Sequence, residues 1–175
     1  MVVAKDDQAY RALTKQFKNR TVEKVYLAVA YGQFAKEEGL IDADIGRHPS
    51  QRKKMSTRTK RGRAAITRWK AMERFDGFTL LEIFPQTGRT HQIRVHLSSI
   101  GHPIVGDPVY GRRGRPEAIH SPVLKECVRR MDRQALHAHR LAIHHPQTGE
   151  RVGFVSPVPE DMRELLECLR SCEKN

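Results

Sequence analysis

The sequence predicts an α+β domain: a mixed, mainly antiparallel sheet with helices packed on it. Three observations carry this. Alternating apolar runs recur at 23–31, 65–75, 78–84, 136–144 and 151–155. Turn signals, Asp76-Gly77 and Gln147-Thr148-Gly149, separate consecutive runs. Helical spacing of apolar residues is confined to a few short segments between and after them.

In chain order, Val2-Val3-Ala4 reads as a strand running into a helix cap. Asp6 or Asp7 caps a helix over roughly 8–18, with Ala9, Leu13 and Phe17 toward the core and Lys15, Lys18 and Arg20 near its C-terminal end. In the strand 23–31, Val25, Leu27 and Val29 share one face; Tyr26, Ala28 and Ala30 share the other. Residues 39–45 form a further short strand, and 46–63 a basic loop or hairpin tip with a short strand near 54–57. In the hairpin 65–84, Thr67, Trp69 and Ala71 lie on one face. Thr87 is positioned to cap a helix over 88–100 that stops at Gly101, with Ile93, Leu97 and Ile100 as its stripe. A Gly/Pro-rich stretch, 101–116, precedes a weak helix at 122–130. The strand pair 136–144 and 151–155 leads to a last helix, 160–172, carrying Met162, Leu165, Leu166 and Leu169. No internal repeat or domain boundary shows, so residues 1–175 read as one domain.

Composition narrows the function. The 175 residues carry 32 Lys and Arg against 20 Asp and Glu, a net charge of +12. A balance this basic predicts a polyanionic partner, nucleic acid first. No apolar run approaches the ~20 residues that a membrane helix needs. Cys127, Cys168 and Cys172 are too few for a disulfide framework, and no signal peptide is evident, which predicts a reduced, cytoplasmic protein. Metal binding is not expected: neither the Cys168/Cys172 pair nor the His137/His139 pair has two further ligands at a structural-zinc spacing.

The densest polar constellation is Thr87-Gly88-Arg89-Thr90-His91-Gln92-Ile93-Arg94-Val95-His96. A glycine-led helix start is suited to anions, and Arg94 shares a face with His91 and Ser98 by i, i+3 and i, i+4 spacing. The loop 101–111 is rich in residues that fix or tolerate unusual backbone angles, so it serves either as a tight connection or as a wall of a site. Residues 46–63 hold eight cations (Arg47, Arg52, Lys53, Lys54, Arg58, Lys60, Arg61, Arg63) and no acid, and nucleic-acid phosphates are the natural counter-charge.

These motifs, in this order, resemble the RluA/RluC/RluD-type RNA pseudouridine synthases. The resemblance rests on the 87–96 segment, Gly101-His102-Pro103-Ile104, Gly106-Asp107 with Tyr110-Gly111, Lys24-Val25-Tyr26-Leu27-Ala28, Ala65-Ile66-Thr67, Leu136-His137-Ala138 with Leu141, and His145-Pro146 with Thr148-Gly149. It implies isomerisation of uridine to pseudouridine in structured ribosomal or transfer RNA, without metal or cofactor, by a monomer. The base is flipped out of its stack to be reached. The resemblance further implies three site elements: a nucleophilic aspartate, a tyrosine stacked on the base, and a basic residue paired with the aspartate. Tyr26 aligns with the tyrosine and Arg94 with the basic residue. Arg52, Lys53, Lys54, Lys60, Arg61, Arg89, His91 and Gln92 are the expected RNA contacts. The family's aspartate sits in H-R-L-D-x-x-T-S-G just before a V-V-A strand. Matching that strand to Val2-Val3-Ala4 places the aspartate ahead of Met1. The chain is therefore expected to be an N-terminally truncated catalytic domain, without the S4-like RNA-binding domain of some members, and inactive alone. A competing expectation is a non-catalytic RNA-binding or ribosome-assembly protein of the same fold.

Overall fold

The computed structural model describes residues 2–51, 54–59, 61–111, 119 and 121–172. Helix α1 spans Asp7–Asn19, followed by strands β1 (Glu23–Tyr31), β2 (Glu38–Asp42), β3 (Gly46–Arg47), β4 (Met55–Ser56), β5 (Ile66–Phe75) and β6 (Phe78–Pro85). Then come α2 (Gln92–Ser99), α3 (Pro122–Arg130), β7 (Leu136–His144), β8 (Arg151–Val155) and α4 (Glu160–Cys172). Six strands form one sheet in the order β2-β5-β6-β1-β7-β8, each adjacent pair antiparallel, and β3-β4 form a separate small hairpin. Among the described residues no helix is long and apolar enough to cross a membrane.

Register fixes which side chains share a face. Thr67, Trp69 and Ala71 of β5 face the same way as Leu81 and Ile83 of β6, and through them as Ala28 and Tyr26 of β1. Their chain neighbours Arg68, Glu82 and Val25 leave the opposite face. Two bulges interrupt the ladder, one at Ala71/Glu73 in β5 and one in β7 opposite Val25/Tyr26. Each extra residue re-aims the strand's remaining side chains. The main core combines Ala28, Val29, Leu81 and Ile83 with Leu97 of α2 and with Met162, Leu165 and Leu169 of α4. The strand pair β7–β8 and the stripe of α4 therefore appear as the sequence predicts, and all four named α4 residues are buried.

Four expectations need correction. Asp6 does cap α1, accepting from the Ala9 N–H at 2.7 Å, but Phe17 is 48 % exposed. Its neighbour Gln16 meets the sheet instead, donating to the His144 carbonyl and accepting from the His144 N–H. That bond pair clamps α1 to β7 and turns Phe17 outward. Val2–Ala4 forms no strand; Val2 and Ala4 pack beside Leu13, Val22 and Ile143, while Val3 is exposed. The helix expected from residue 88 begins at Gln92, for reasons given below. Finally, Cys127 and Cys168, on α3 and α4, form a disulfide, where the cysteine count suggests reduced thiols. Their separation of 41 residues gives no signal in sequence.

Candidate active site

Helix α2 is held on the Thr67 face of the sheet by a chain of buried side-chain hydrogen bonds. Thr87 Oγ1 accepts from the Ile66 N–H at 3.0 Å and donates to Gln92 Oε1 at 2.6 Å. The same oxygen of Gln92 accepts from the Arg89 N–H, while its Nε2 donates to the Ile66 carbonyl and to Thr67 Oγ1. Thr67 in turn meets His96 Nδ1 at 2.9 Å, and His96 Nε2 meets the Ala43 carbonyl at 3.0 Å. A carbonyl only accepts, so the His96 proton sits on Nε2, Nδ1 accepts, and Thr67 donates to it. Thr87 is thus spent on β5 and Gln92 and caps no helix. Residues 88–91 form a turn, and His91 takes the left-handed conformation (φ 56°) at the true N-cap. Gln92, expected as an RNA contact, is only 4 % exposed and has its amide oxygen and nitrogen engaged within the protein. That expectation is corrected: its amide is a structural pin.

The outer face of α2 carries Arg94, His91 and Ser98, as the spacing predicts, and all three converge on the loop 104–111. Arg94 makes a side-on, two-pronged pair with Asp107, Nε to Oδ2 at 2.8 Å and Nη2 to Oδ1 at 2.7 Å. The side chains are 12 % and 0 % exposed. Asp107 Oδ1 also accepts from the Val109 and Tyr110 N–H groups at 2.9 Å. The Tyr110 ring lies 5.0 Å from the Arg94 guanidinium carbon. Its hydroxyl accepts from the Met55 N–H of β4 and shares a hydrogen bond with His91 Nδ1, both at 2.9 Å. Ser98 Oγ donates to the Tyr110 carbonyl. Gly106 makes this loop possible: φ is +71°, and a Cβ there would stand 2.2 Å from the Arg133 carbonyl oxygen. The loop is therefore a wall of the site as well as a tight connection. Spacing in the sequence assigns these roles to neither Asp107 nor Tyr110, because the pairing joins a helix to a loop with no periodic relation between them.

Tyr26 sits on the same face of the sheet as Thr67, opposite Ile83 and Ala138. It is half-buried. Burial raises its pKa, so it stays a neutral phenol and presents an aromatic ring. Of the expected RNA contacts, Arg52, Lys53 and Lys60 lie outside the described residues. Lys54 and Arg61 flank the β3–β4 hairpin, and a groove of about 460 Å³ runs between this hairpin and the C-terminal half of α2, lined by His48, Lys54, Arg58 and Ser98 among others. Arg89 donates from Nε to the Ala64 carbonyl. No cluster of three or more His, Cys, Asp or Glu residues is placed to hold a metal among the described residues.

The electrostatics follow from burial and pairing. Burial raises the Asp107 pKa, but the hydrogen bonds from Arg94 and from the Tyr110 and Val109 N–H groups outweigh it, so the carboxyl titrates below its usual range. His91 is lowered by burial and by Arg94. His96 is lowered mainly by burial. A histidine with a depressed folded pKa stabilises the fold above its unfolded pKa of 6.5 and loses that contribution as pH falls, because the unfolded chain takes the proton more readily. The melting temperature is therefore expected to fall from about pH 7.5 to about pH 5.5, a window set around that unfolded pKa, and a His96→Gln variant to lose part of that slope. Thermal melts across this window check it, and an equal slope in wild type and variant would refute the assignment.

Comparison with known proteins bears on the family and the fold. A family model described as RNA pseudouridylate synthase matches residues 1–99. The chain is 46 % identical over 171 residues to the ribosomal large subunit pseudouridine synthase D of Nitrosomonas europaea, covering 98 % of this chain and 48 % of that protein. It is 43 % identical to the Escherichia coli protein of that name, over 98 % of this chain and 52 % of the relative. The chain thus spans about half the length of the curated relatives it matches. Among solved structures, human RNA pseudouridylate synthase domain containing 4 superposes with a TM-score of 0.77 at 27 % identity, over 97 % of this chain and 70 % of that one. Human RNA pseudouridylate synthase domain containing 1 gives 0.72 at 28 %, over 97 % and 74 %. The match of the family model to residues 1–99, more than half of the chain, with the same fold beneath, makes this chain a member of the RNA pseudouridylate synthase family.

Proposed function

We propose that this chain supplies the tyrosine–arginine part of a pseudouridine synthase site and the surface that holds its RNA, with ribosomal RNA of the large subunit as the substrate and the cytoplasm as the place of action. The observation that carries the reading is the identity to synthases named for that RNA, over nearly the whole of this chain. In the reaction the N-glycosidic bond of a uridine breaks, the uracil turns, and its C5 bonds to the ribose. Tyr26 would stack on the flipped-out uracil. Arg94, held by Asp107 and Tyr110, would orient a nucleophilic carboxylate through the guanidinium edge that Asp107 leaves free, Nη1. Asp107 is not that nucleophile: its side chain is fully buried and each oxygen already accepts. The sequence contains no H-R-L-D-x-x-T-S-G, so the 175-residue chain alone is expected to bind RNA without isomerising it.

Lys54 and Arg61 would contact phosphates beside the cleft. The double variant Lys54→Gln/Arg61→Gln is expected to flatten the plot of log affinity against log salt by up to roughly 0.9 for every phosphate that is no longer neutralised, with a ribosomal RNA stem-loop as probe. An unchanged slope would remove this hairpin from the RNA surface.

A further inference from the structure

The reverse face of the sheet carries a second basic groove. Thr67 points to α2, so Arg68, the next residue of β5, leaves the other side. There a groove of about 750 Å³ opens between the α1–β1 junction, the end of β6 and strands β7–β8. Five cations line it: Arg20, Lys24, Arg68, Arg140 and Arg151. Two have carboxylate partners, Arg140 with Glu82 and Arg151 with Glu23. Arg20, Lys24 and Arg68 form no ion pair among the described residues. Lys24, its pKa lowered by burial, is lowered further by the charge of Arg20 beside it.

Aromatic surface lies among these charges. The Arg68 guanidinium rests 4.6 Å over the Phe84 ring, and Phe84 itself lines the groove. Val155, on the same face of the sheet as Arg140 and Val25, also lines it and is 69 % exposed. Cations without carboxylate partners beside stacking surfaces are what a single-stranded nucleic acid requires: phosphates meet the cations and bases stack on the rings.

We propose that this groove is a second RNA-binding surface, on the face of the sheet opposite Arg94, which holds a single-stranded segment flanking the modified structure. The choice of RNA rests on the function proposed above; the groove's position and charge do not. Arg20 and Arg68 are exposed and take no part in the α2 network, so their loss leaves the fold and the cleft intact.

The test is fluorescence anisotropy of a short fluorescein-labelled oligouridine with the 175-residue chain, its Arg20→Gln/Arg68→Gln variant, a Phe84→Ala variant and the Lys54→Gln/Arg61→Gln variant. The reverse-face pair should weaken binding and flatten the salt slope by roughly 0.7 for each phosphate left without its cation. Phe84→Ala should weaken binding about tenfold with the slope unchanged, as expected for stacking without charge. Arg20→Lys/Arg68→Lys should restore the slope but not the full affinity. If only the hairpin variant weakens binding, the second surface is refuted and the function proposed above stands. If no variant changes binding, or the wild type binds no RNA, both fail. A concentration-dependent dimer in sedimentation, dispersed by Val155→Glu, would assign the groove to a second copy of this chain and overturn the proposal.

Discussion

Arg94→Ala is expected to destabilise the fold by about 3–5 kcal/mol, since it strands a buried carboxylate. That corresponds to a fall in melting temperature on the order of 10 °C for a domain of this size. From sequence alone, Arg94 lies off the apolar stripe of α2 and its loss should spare the fold. The structure reverses that expectation, because the Asp107 side chain is fully buried and receives two hydrogen bonds from the side of the Arg94 guanidinium. Arg94→Lys keeps the charge but not the two-pronged geometry, and should fall between wild type and alanine. The double variant Arg94→Ala/Asp107→Ala should recover part of the loss, since no orphaned charge remains. Acid titration adds a signature. The depressed Asp107 pKa contributes stability above the usual carboxylate pKa, and that contribution is lost as pH falls through the folded value. The alanine variant should therefore be less acid-sensitive than wild type. Urea melts across pH check both statements; single variants that match wild type would dissolve the pair as a structural element.

Gln92→Ala carries the second large effect. It leaves the Arg89 N–H, the Ile66 carbonyl and two threonine hydroxyls short of a partner in a buried setting. Unmet buried groups cost about 1–3 kcal/mol each and do not add fully, so a loss on the order of 3 kcal/mol is expected. Gln92→Glu should not rescue it, because a carboxylate has no donor for the Ile66 carbonyl and repels it. RNA affinity of the folded protein should hardly change. A variant of normal stability with weakened RNA binding would return Gln92 to the RNA surface.

Arg94 and Gln92 also mark what the sequence conveys and what it does not. Strands β7 and β8 are legible because a turn signal, Gln147-Thr148-Gly149, joins them, and helix α4 because its periodicity is local and it buries one face. The shared face of His91, Arg94 and Ser98 is legible for the same reason. What meets that face is not: Asp107 and Tyr110 reach α2 through a loop whose path depends on Gly106 fitting against the Arg133 carbonyl. Local pattern misplaces the start of α2 because the Thr87 hydroxyl is taken by the Ile66 N–H, 21 residues earlier, in competition with capping. Phe17 reads as a core residue by spacing, yet Gln16 finds backbone partners on β7 and turns it outward. In each case a long-range hydrogen bond overrides a local pattern.

The division of labour proposed for the site, with Tyr26 and Arg94 on this chain and the nucleophilic carboxylate supplied from outside it, is decided by pseudouridine formation in a large-subunit ribosomal RNA transcript. The comparison sets the 175-residue chain against a version extended at its N-terminus by a segment carrying H-R-L-D-x-x-T-S-G, and against Tyr26→Ala and Arg94→Lys in that extended form. The expected result is no turnover by the chain alone and turnover by the extended form. Either variant should lose at least about a hundredfold, the order expected when a positioned charged or stacking group is removed. Turnover by the 175-residue chain, or an extended form indifferent to Tyr26 and Arg94, would contradict it.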